Sequence, residues 1–327
     1  MASIESFGAT RDVEITVLVD NWADLLVKST ETVKRFTEEP LLAEHGFAAL
    51  VDLKGAGVRI LWDAGMTEIA LLENARRLKI DLSAVDKIAL SHGHGDHYAA
   101  VTDVLSVTAQ SPSPREWDKD ASVGEISAYA KGRRTPVIVH PAAFRERWGI
   151  DKDGKKHGPN LMPRNEWEAA GADIIPAEGP YQLGPGCWTT GNVPRLSFET
   201  AGISSRMAYR QGDSFIRDRL EDDQSIVINL KDKGLVVLTG CAHAGVVKTV
   251  NYAKEISGVN RVWAILGGFH LAPAKDEDVQ RTIDEIQQLE PALVAPTHCS
   301  GFNAISRFAD QMPDAFVQGA VGTTYLF

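Results

Sequence analysis

The stretch that decides the reading is Lys87-Ile88-Ala89-Leu90-Ser91-His92-Gly93-His94-Gly95-Asp96-His97. An apolar run ends in four groups able to bind a metal: His92, His94, Asp96 and His97. The run predicts a buried strand over Lys87–Leu90, and the glycines at 93 and 95 let the backbone turn so that His92 and His94 point the same way. Imidazole nitrogen suits zinc and other borderline metals, and the Asp96 carboxylate adds a hard ligand for a second ion. One ion would take His92 and His94, and its neighbour Asp96 and His97. Two such ions can hold a hydroxide and clamp a substrate oxygen. A merely solvated turn does not account for four ligands in this order behind a buried strand.

Outward from this segment, short apolar runs alternate with amphipathic stretches. Upstream, strands are expected at Glu14–Val19, Ala48–Leu53 and Val58–Trp62, the last two joined by the turn-forming Lys54-Gly55-Ala56-Gly57. A helix is expected over Thr67–Leu78 and another over Tyr98–Val107. The stretch from Ser111 to Thr135 is polar, with two prolines and two glycines, and reads as an insertion loop. Beyond it the pattern predicts strand Val137–Val139, helix Ala142–Arg147 and strand Asp173–Ile175. A second series runs through strands Ser225–Leu230 and Leu235–Leu238, a helix from Val246 to about Ile256, strand Val262–Leu266, helix Asp276–Leu289, strand Leu293–Ala295 and a helix near Asn303–Asp310. The halves share a plan, and that plan suits two mixed sheets packed face to face with helices outside, an α/β fold of four αββα layers. The whole chain, 1–327, is read as one domain. Histidines at strand ends would then meet at one edge.

The bulk numbers agree. With 44% hydrophobic and 24% charged residues, the 327-residue chain can bury a sizeable core. A net charge of −10 without a basic stripe argues against a nucleic-acid surface, while leaving room for a local pocket that takes an anionic small molecule. Three cysteines, Cys187, Cys241 and Cys299, are too few for a disulfide framework. The start, Met-Ala-Ser-Ile-Glu-Ser-Phe, lacks the features of a signal peptide, and no run is long enough to span a bilayer. A cytoplasmic protein with no membrane partner is expected; the oligomeric state is not legible.

His-X-His-X-Asp-His after a strand resembles the signature of the metallo-β-lactamase superfamily, and Leu61-Trp62-Asp63-Ala64-Gly65 looks like its strand-Asp-Gly element. Glu44-His45-Gly46, Asn74-Ala75, Val139-His140-Pro141, the segment Thr190 to Arg195, the segment Leu238 to Gly245, Gly267-Gly268-Phe269-His270-Leu271 and Thr297-His298-Cys299 follow in the order of one branch. That branch includes the archaeal dihydropterin–ribofuranosylaminobenzene 5'-phosphate synthases and many uncharacterised hydrolases.

The resemblance implies further site residues. It places His298 as the last histidine of the second metal, and Cys241 where relatives carry a bridging or second-metal carboxylate or thiolate. It also exposes a gap. The third histidine of the first metal normally precedes the second half, yet Cys187–Arg195 contains none. His243 or His270 must substitute, or that site is poorly occupied; Asn192 is a weak ligand and Cys187 comes too early. His270 is read first as a substrate-facing or supporting residue. His45 would line the pocket, Asp63 would fix the tautomer of a ligand histidine, and Arg195 would pair with a phosphate or carboxylate. His140 reads as structural and His157 as solvated.

The function expected is metal-dependent hydrolysis of an ester or phosphoester by a metal-bound hydroxide, with Asp96 or an acidified water managing the proton and zinc, two ions, as cofactor; iron or manganese are alternatives. A transferase joining a pterin to an aminobenzene ribose phosphate, and a metal-binding module without catalysis, are the competing readings.

Overall fold

The strand Ala48–Leu53 shows how the layers arise. All six residues are buried. Ala49, Val51 and Leu53 point into one core and Ala48 and Leu50 into another. This is the period-two alternation of a strand covered on both faces. Gly234–Thr239 repeats it, with Val236 and Leu238 in the shared core and Leu235 and Val237 on the far side. The computed structural model describes residues 4–109, 120–130, 132–195, 197–200, 202 and 204–327.

Eight strands form one sheet, ordered Val33–Arg35, Thr323–Leu326, Val13–Val19, Ala48–Leu53, Val58–Trp62, Lys87–Ala89, Thr135–Val139 and Ala172–Pro176. Six form the second: Tyr181–Gly184, Cys187–Thr189, Ser225–Leu230, Gly234–Thr239, Val262–Gly268 and Leu293–Thr297. Between them lie Ile15, Val51, Trp62, Ile138, Ile226, Val236 and Leu266. Each buried aliphatic side chain of this kind contributes roughly 1.5–3 kcal/mol, so this seam is a main source of stability. Helices Glu68–Arg77, Val101–Thr108 and Arg164–Ala169 cover the outer face of the first sheet. Helices Val246–Ser257, Asp276–Gln287 and Phe302–Gln311 cover that of the second. The expected αββα sandwich is present.

Several local expectations are corrected. The helix expected over Tyr98–Val107 is a single turn, Gly95–Tyr98, followed by Val101–Thr108. The His97 carbonyl accepts from Ala64 N–H at 2.7 Å, which diverts the acceptor a continuous helix would need. Ala142–Arg147 is not a helix but a short turn, Pro141–Phe144, leading into strand Arg147–Ile150. That strand joins Lys156–Asn160, Met207–Gln211 and Ser214–Arg217 in a four-stranded accessory sheet. Lys156–Asn160 is exposed along its whole length, so no apolar alternation announced it. The expected loop at Ser111 to Thr135 falls partly outside the described residues; the described part carries helix Val123–Ala130.

Strand Thr323–Leu326 returns from the C-terminus to pair with Val13–Val19, binding the end of the second half into the first sheet. In each sheet the central strands run parallel: Val58–Trp62 with Lys87–Ala89 and Thr135–Val139, and Gly234–Thr239 with Val262–Gly268 and Leu293–Thr297. Their C-terminal ends deliver the loops that carry Asp63, His92 to His97, Cys241 to His243, His270 and His298.

Candidate metal centre

The loop after Lys87–Ala89 is held from below by Asp63. This residue is fully buried at the end of Val58–Trp62 and adopts a left-handed φ of 58°. Its carboxylate accepts from Ser91 N–H, Ser91 Oγ–H and His97 Nδ1–H, each at 2.7 Å. Ser91 Oγ–H donates its one hydrogen bond to Asp63, so its contact at 2.9 Å with His92 Nδ1 needs the imidazole as donor. His92 therefore carries its proton on Nδ1 and its Nε2 is bare; His97 donates through Nδ1, and although burial lowers its imidazole, Asp63 and Asp96 outweigh that and raise it to about 9.

His243 obeys the same logic from the other sheet. Its Nδ1–H donates to the Gly202 carbonyl at 2.7 Å, which can only accept. Its bare Nε2 stands 3.1 Å from His92 Nε2, and His94 Nδ1 is 2.9 Å from the same atom. Two lone pairs at hydrogen-bond distance repel unless a cation lies between them. Burial, reinforced for His92 by neighbouring histidines, holds His92 and His243 well below the usual imidazole range, and burial brings His94 to about 4. Neutral imidazole is the ligand form.

A second group faces it. His298 Nδ1–H donates to Asn21 Oδ1 at 3.1 Å, leaving a buried Nε2 without a hydrogen-bond partner, 3.4 Å from Asp96 Oδ2. Asp96 Oδ2 also lies 3.6 Å from His97 Nε2 and 3.4 Å from His45 Nε2. Burial raises the Asp96 carboxyl, but His97 and His298 outweigh it and keep the group ionised. Cys241 Sγ sits between the two groups, 3.2 Å from His97 Nε2. Donor atoms within 4.8 Å of one another occur as His92–His94–His243, Asp96–His97–His298, His92–His97–Cys241, Cys241–His243–His270 and Cys241–His298–Cys299. Bare, buried, convergent donors fit metal ions.

Each sequence candidate can now be placed. His92, His94, Asp96, His97, Cys241, His243 and His298 come together, with His270 against His243 at 4.3 Å between ring centroids. His270 Nδ1 is buried and without a hydrogen-bond partner. His45 is exposed at the mouth, its ring 5.2 Å from that of His298. Arg195 does not face an open pocket. Its guanidinium donates to the carbonyls of Arg219 and Leu220 and lies 3.5 Å from buried Asp223. Cys187 belongs to the core between the sheets, and burial pushes its thiol up to about 12. His140 accepts from Ala142 N–H within its own turn, and His157 pairs with Asp151 at the surface. Gly93 and Gly95 do not adopt left-handed backbone, contrary to the turn argument. Gly93 is needed for space, since a Cβ there would lie 2.6 Å from the Ala143 carbonyl oxygen and also meet the Arg147 guanidinium.

Sequence reasoning missed the supports: Asn21, buried Arg147, and the acids Asp222 and Asp223. Asp222 Oδ2 accepts from Gly93 N–H at 2.7 Å while its other oxygen pairs with Arg147. Asp223 Oδ2 accepts from Ala244 N–H at 2.9 Å. Their one signal in the sequence is the acidic run Glu221-Asp222-Asp223 just before an apolar strand. A cavity of about 790 Å³, lined by His140, Arg145, Glu178, Asn192 and Glu221 among others, does not include the clustered histidines.

A four-layer sandwich with this cluster at the ends of its parallel strands has the metallo-β-lactamase fold, and the model of the metallo-β-lactamase superfamily matches residues 43–160 of the chain. Among proteins of Methanocaldococcus jannaschii, it is 27% identical over 283 residues to 7,8-dihydropterin-6-methyl-4-(beta-D-ribofuranosyl)-aminobenzene-5'-phosphate synthase, covering 85% of this chain and 88% of the relative. It is 29% identical over 315 residues to the uncharacterized protein MJ0448 of the same organism, covering 94% and 98%. The crystal structure of Tm1679, described as a metal-dependent hydrolase of the beta-lactamase superfamily, superposes with a TM-score of 0.71 at 21% identity, covering 95% of this chain and 98% of that one. No helix among the described residues is long and apolar enough to cross a membrane.

Proposed function

We propose that the chain is a metal-dependent enzyme with two adjacent ions, one on His92, His94 and His243 and the other on Asp96, His97 and His298, with Cys241 between them. The observation that carries this is the approach of two bare imidazole nitrogens, His92 Nε2 and His243 Nε2, to 3.1 Å. Each tautomer is fixed by a partner behind it, so only a cation resolves the contact. The nitrogen-rich shell favours zinc, with iron or manganese as alternatives.

Metal ions bound there supply Lewis acidity toward a substrate oxygen and lower the pKa of water. The chain's residues do the rest. Asp63, through Ser91 and His97, locks the orientation of the ligand histidines. Asp96 Oδ2 is ionised and faces the centre, where it can take up a proton. His45 Nε2, at 3.4 Å and exposed, can pass that proton to solvent.

The reaction favoured is hydrolysis of an ester or phosphoester of a small, anionic substrate. The relationship to the synthase named above supports a second reading, a condensing reaction on a dihydropterin. Zinc-loaded and manganese-loaded protein, assayed on a panel of phosphodiesters and carboxylic esters and in parallel on a dihydropterin donor with an aminobenzene ribose phosphate, separates the two. Turnover of the esters that a chelator abolishes supports the hydrolase. Product formed only from the pterin pair assigns the synthase, and no turnover of either leaves a metal-binding module.

A further inference from the structure

Cys299 follows His298 on the turn His298–Ser300, at the end of strand Leu293–Thr297. Its Sγ, Cys241 Sγ and a His298 nitrogen all lie within 4.8 Å of one another. The thiol lies 3.7 Å from the Cys241 carbonyl, so the two cysteines share one small space. Gly268 makes that space: a Cβ there would lie 2.7 Å from Cys299 Sγ and 3.2 Å from His298 Cδ2. Two ring nitrogens at this end, His298 Nε2 and His270 Nδ1, are buried without a hydrogen-bond partner. His270 and His298 also hold left-handed φ values, 47° and 49°, a conformation that costs residues other than glycine roughly 1–2 kcal/mol. Such strain persists where surrounding structure over-determines it, and it gathers at sites.

We propose that Cys299 is a second sulfur ligand of the centre, so that Cys241, Cys299 and His298 form a thiolate-rich group beside the imidazole triad. The inference rests on the metal reading above and adds to it a ligand which that reading does not use. A thiol that meets a divalent ion releases its proton to solvent and binds as thiolate. Two thiolates bias the centre toward zinc or ferrous iron and against magnesium and calcium, which require oxygen donors.

The test is cobalt substitution under a non-thiol reductant, read by the thiolate-to-cobalt charge-transfer absorption and not by activity. Wild-type protein and the control Cys187→Ala should show the full band. Cys241→Ser and Cys299→Ser should each keep about half of it, since each leaves one sulfur, and the double variant should lose it. Circular dichroism reports folding. If Cys299→Ser fails to fold, Cys241→Ser still decides, because any band it retains has to come from Cys299. A Cys241→Ser protein that binds cobalt with no charge-transfer band, or a Cys299→Ser protein with the full band, overturns the assignment of Cys299 and leaves the metal reading intact. Wild-type protein that takes up no cobalt overturns both.

Discussion

Asp222 and Asp223 are neighbours in the chain yet hold two different turns: Asp222 Oδ2 receives Gly93 N–H at 2.7 Å, and Asp223 Oδ2 receives Ala244 N–H at 2.9 Å. Gly93 lies between His92 and His94, and Ala244 follows His243. One dipeptide therefore sets the separation of the three imidazoles that belong to different sheets. Gln224 continues the clamp, donating through Nε2 to the Leu90 carbonyl at 2.8 Å and through N–H to that of Ser91 at 3.0 Å. Arg147 closes it from the accessory sheet, pairing with Asp222 and, at 2.6 Å, with Asp218.

Asp222→Asn keeps an acceptor for Gly93 but removes one of the two charges that balance buried Arg147. Breaking one side of a buried pair costs about 3–5 kcal/mol, far above the typical value of a surface bridge. Urea unfolding of the metal-free variant should show a loss of that order, and combining it with Arg147→Met should recover part of it. A loss below about 0.5 kcal/mol would mean that the clamp does not bear on the fold.

His243→Ala should lose about one equivalent of metal per chain, because it removes the only member of the first triad contributed by the second sheet. His157→Ala, at the surface, should keep full occupancy. Full occupancy in His243→Ala transfers the role to His270, whose ring lies 4.3 Å away.

Asp96→Asn should reduce turnover of any substrate the wild type accepts by several powers of ten, since one carboxylate both binds and handles the proton. Its circular dichroism should match wild type, because the residue sits in the single helical turn Gly95–Tyr98 and not in a core cluster. Turnover within about threefold of wild type would remove Asp96 from the chemistry.

Much of this was legible in the chain. The sheets followed from alternation in runs such as Ala48–Leu53, where both faces are buried. The cluster His92 to His97 stood out because its residue types lie side by side, and His243 emerged from the ligand gap. What stayed hidden depends on contacts between distant segments. Arg147 looked like part of a helix, and only its pairing with Asp218 and Asp222, some 70 residues on, explains its burial. Arg195 looked free to bind an anion, yet it is drawn to the 219–223 loop. Cys299 stood beside a marked histidine with no pattern of its own. The exposed strand Lys156–Asn160 carries no apolar signal at all.

The central claim is that the paired bare nitrogens and the Asp96 group hold metal. Elemental analysis of protein purified without chelator, and again after reconstitution with zinc or manganese, tests it most directly. Between one and two equivalents of transition metal per chain is the expected result, with the higher value after reconstitution. A value near zero in both preparations would contradict it.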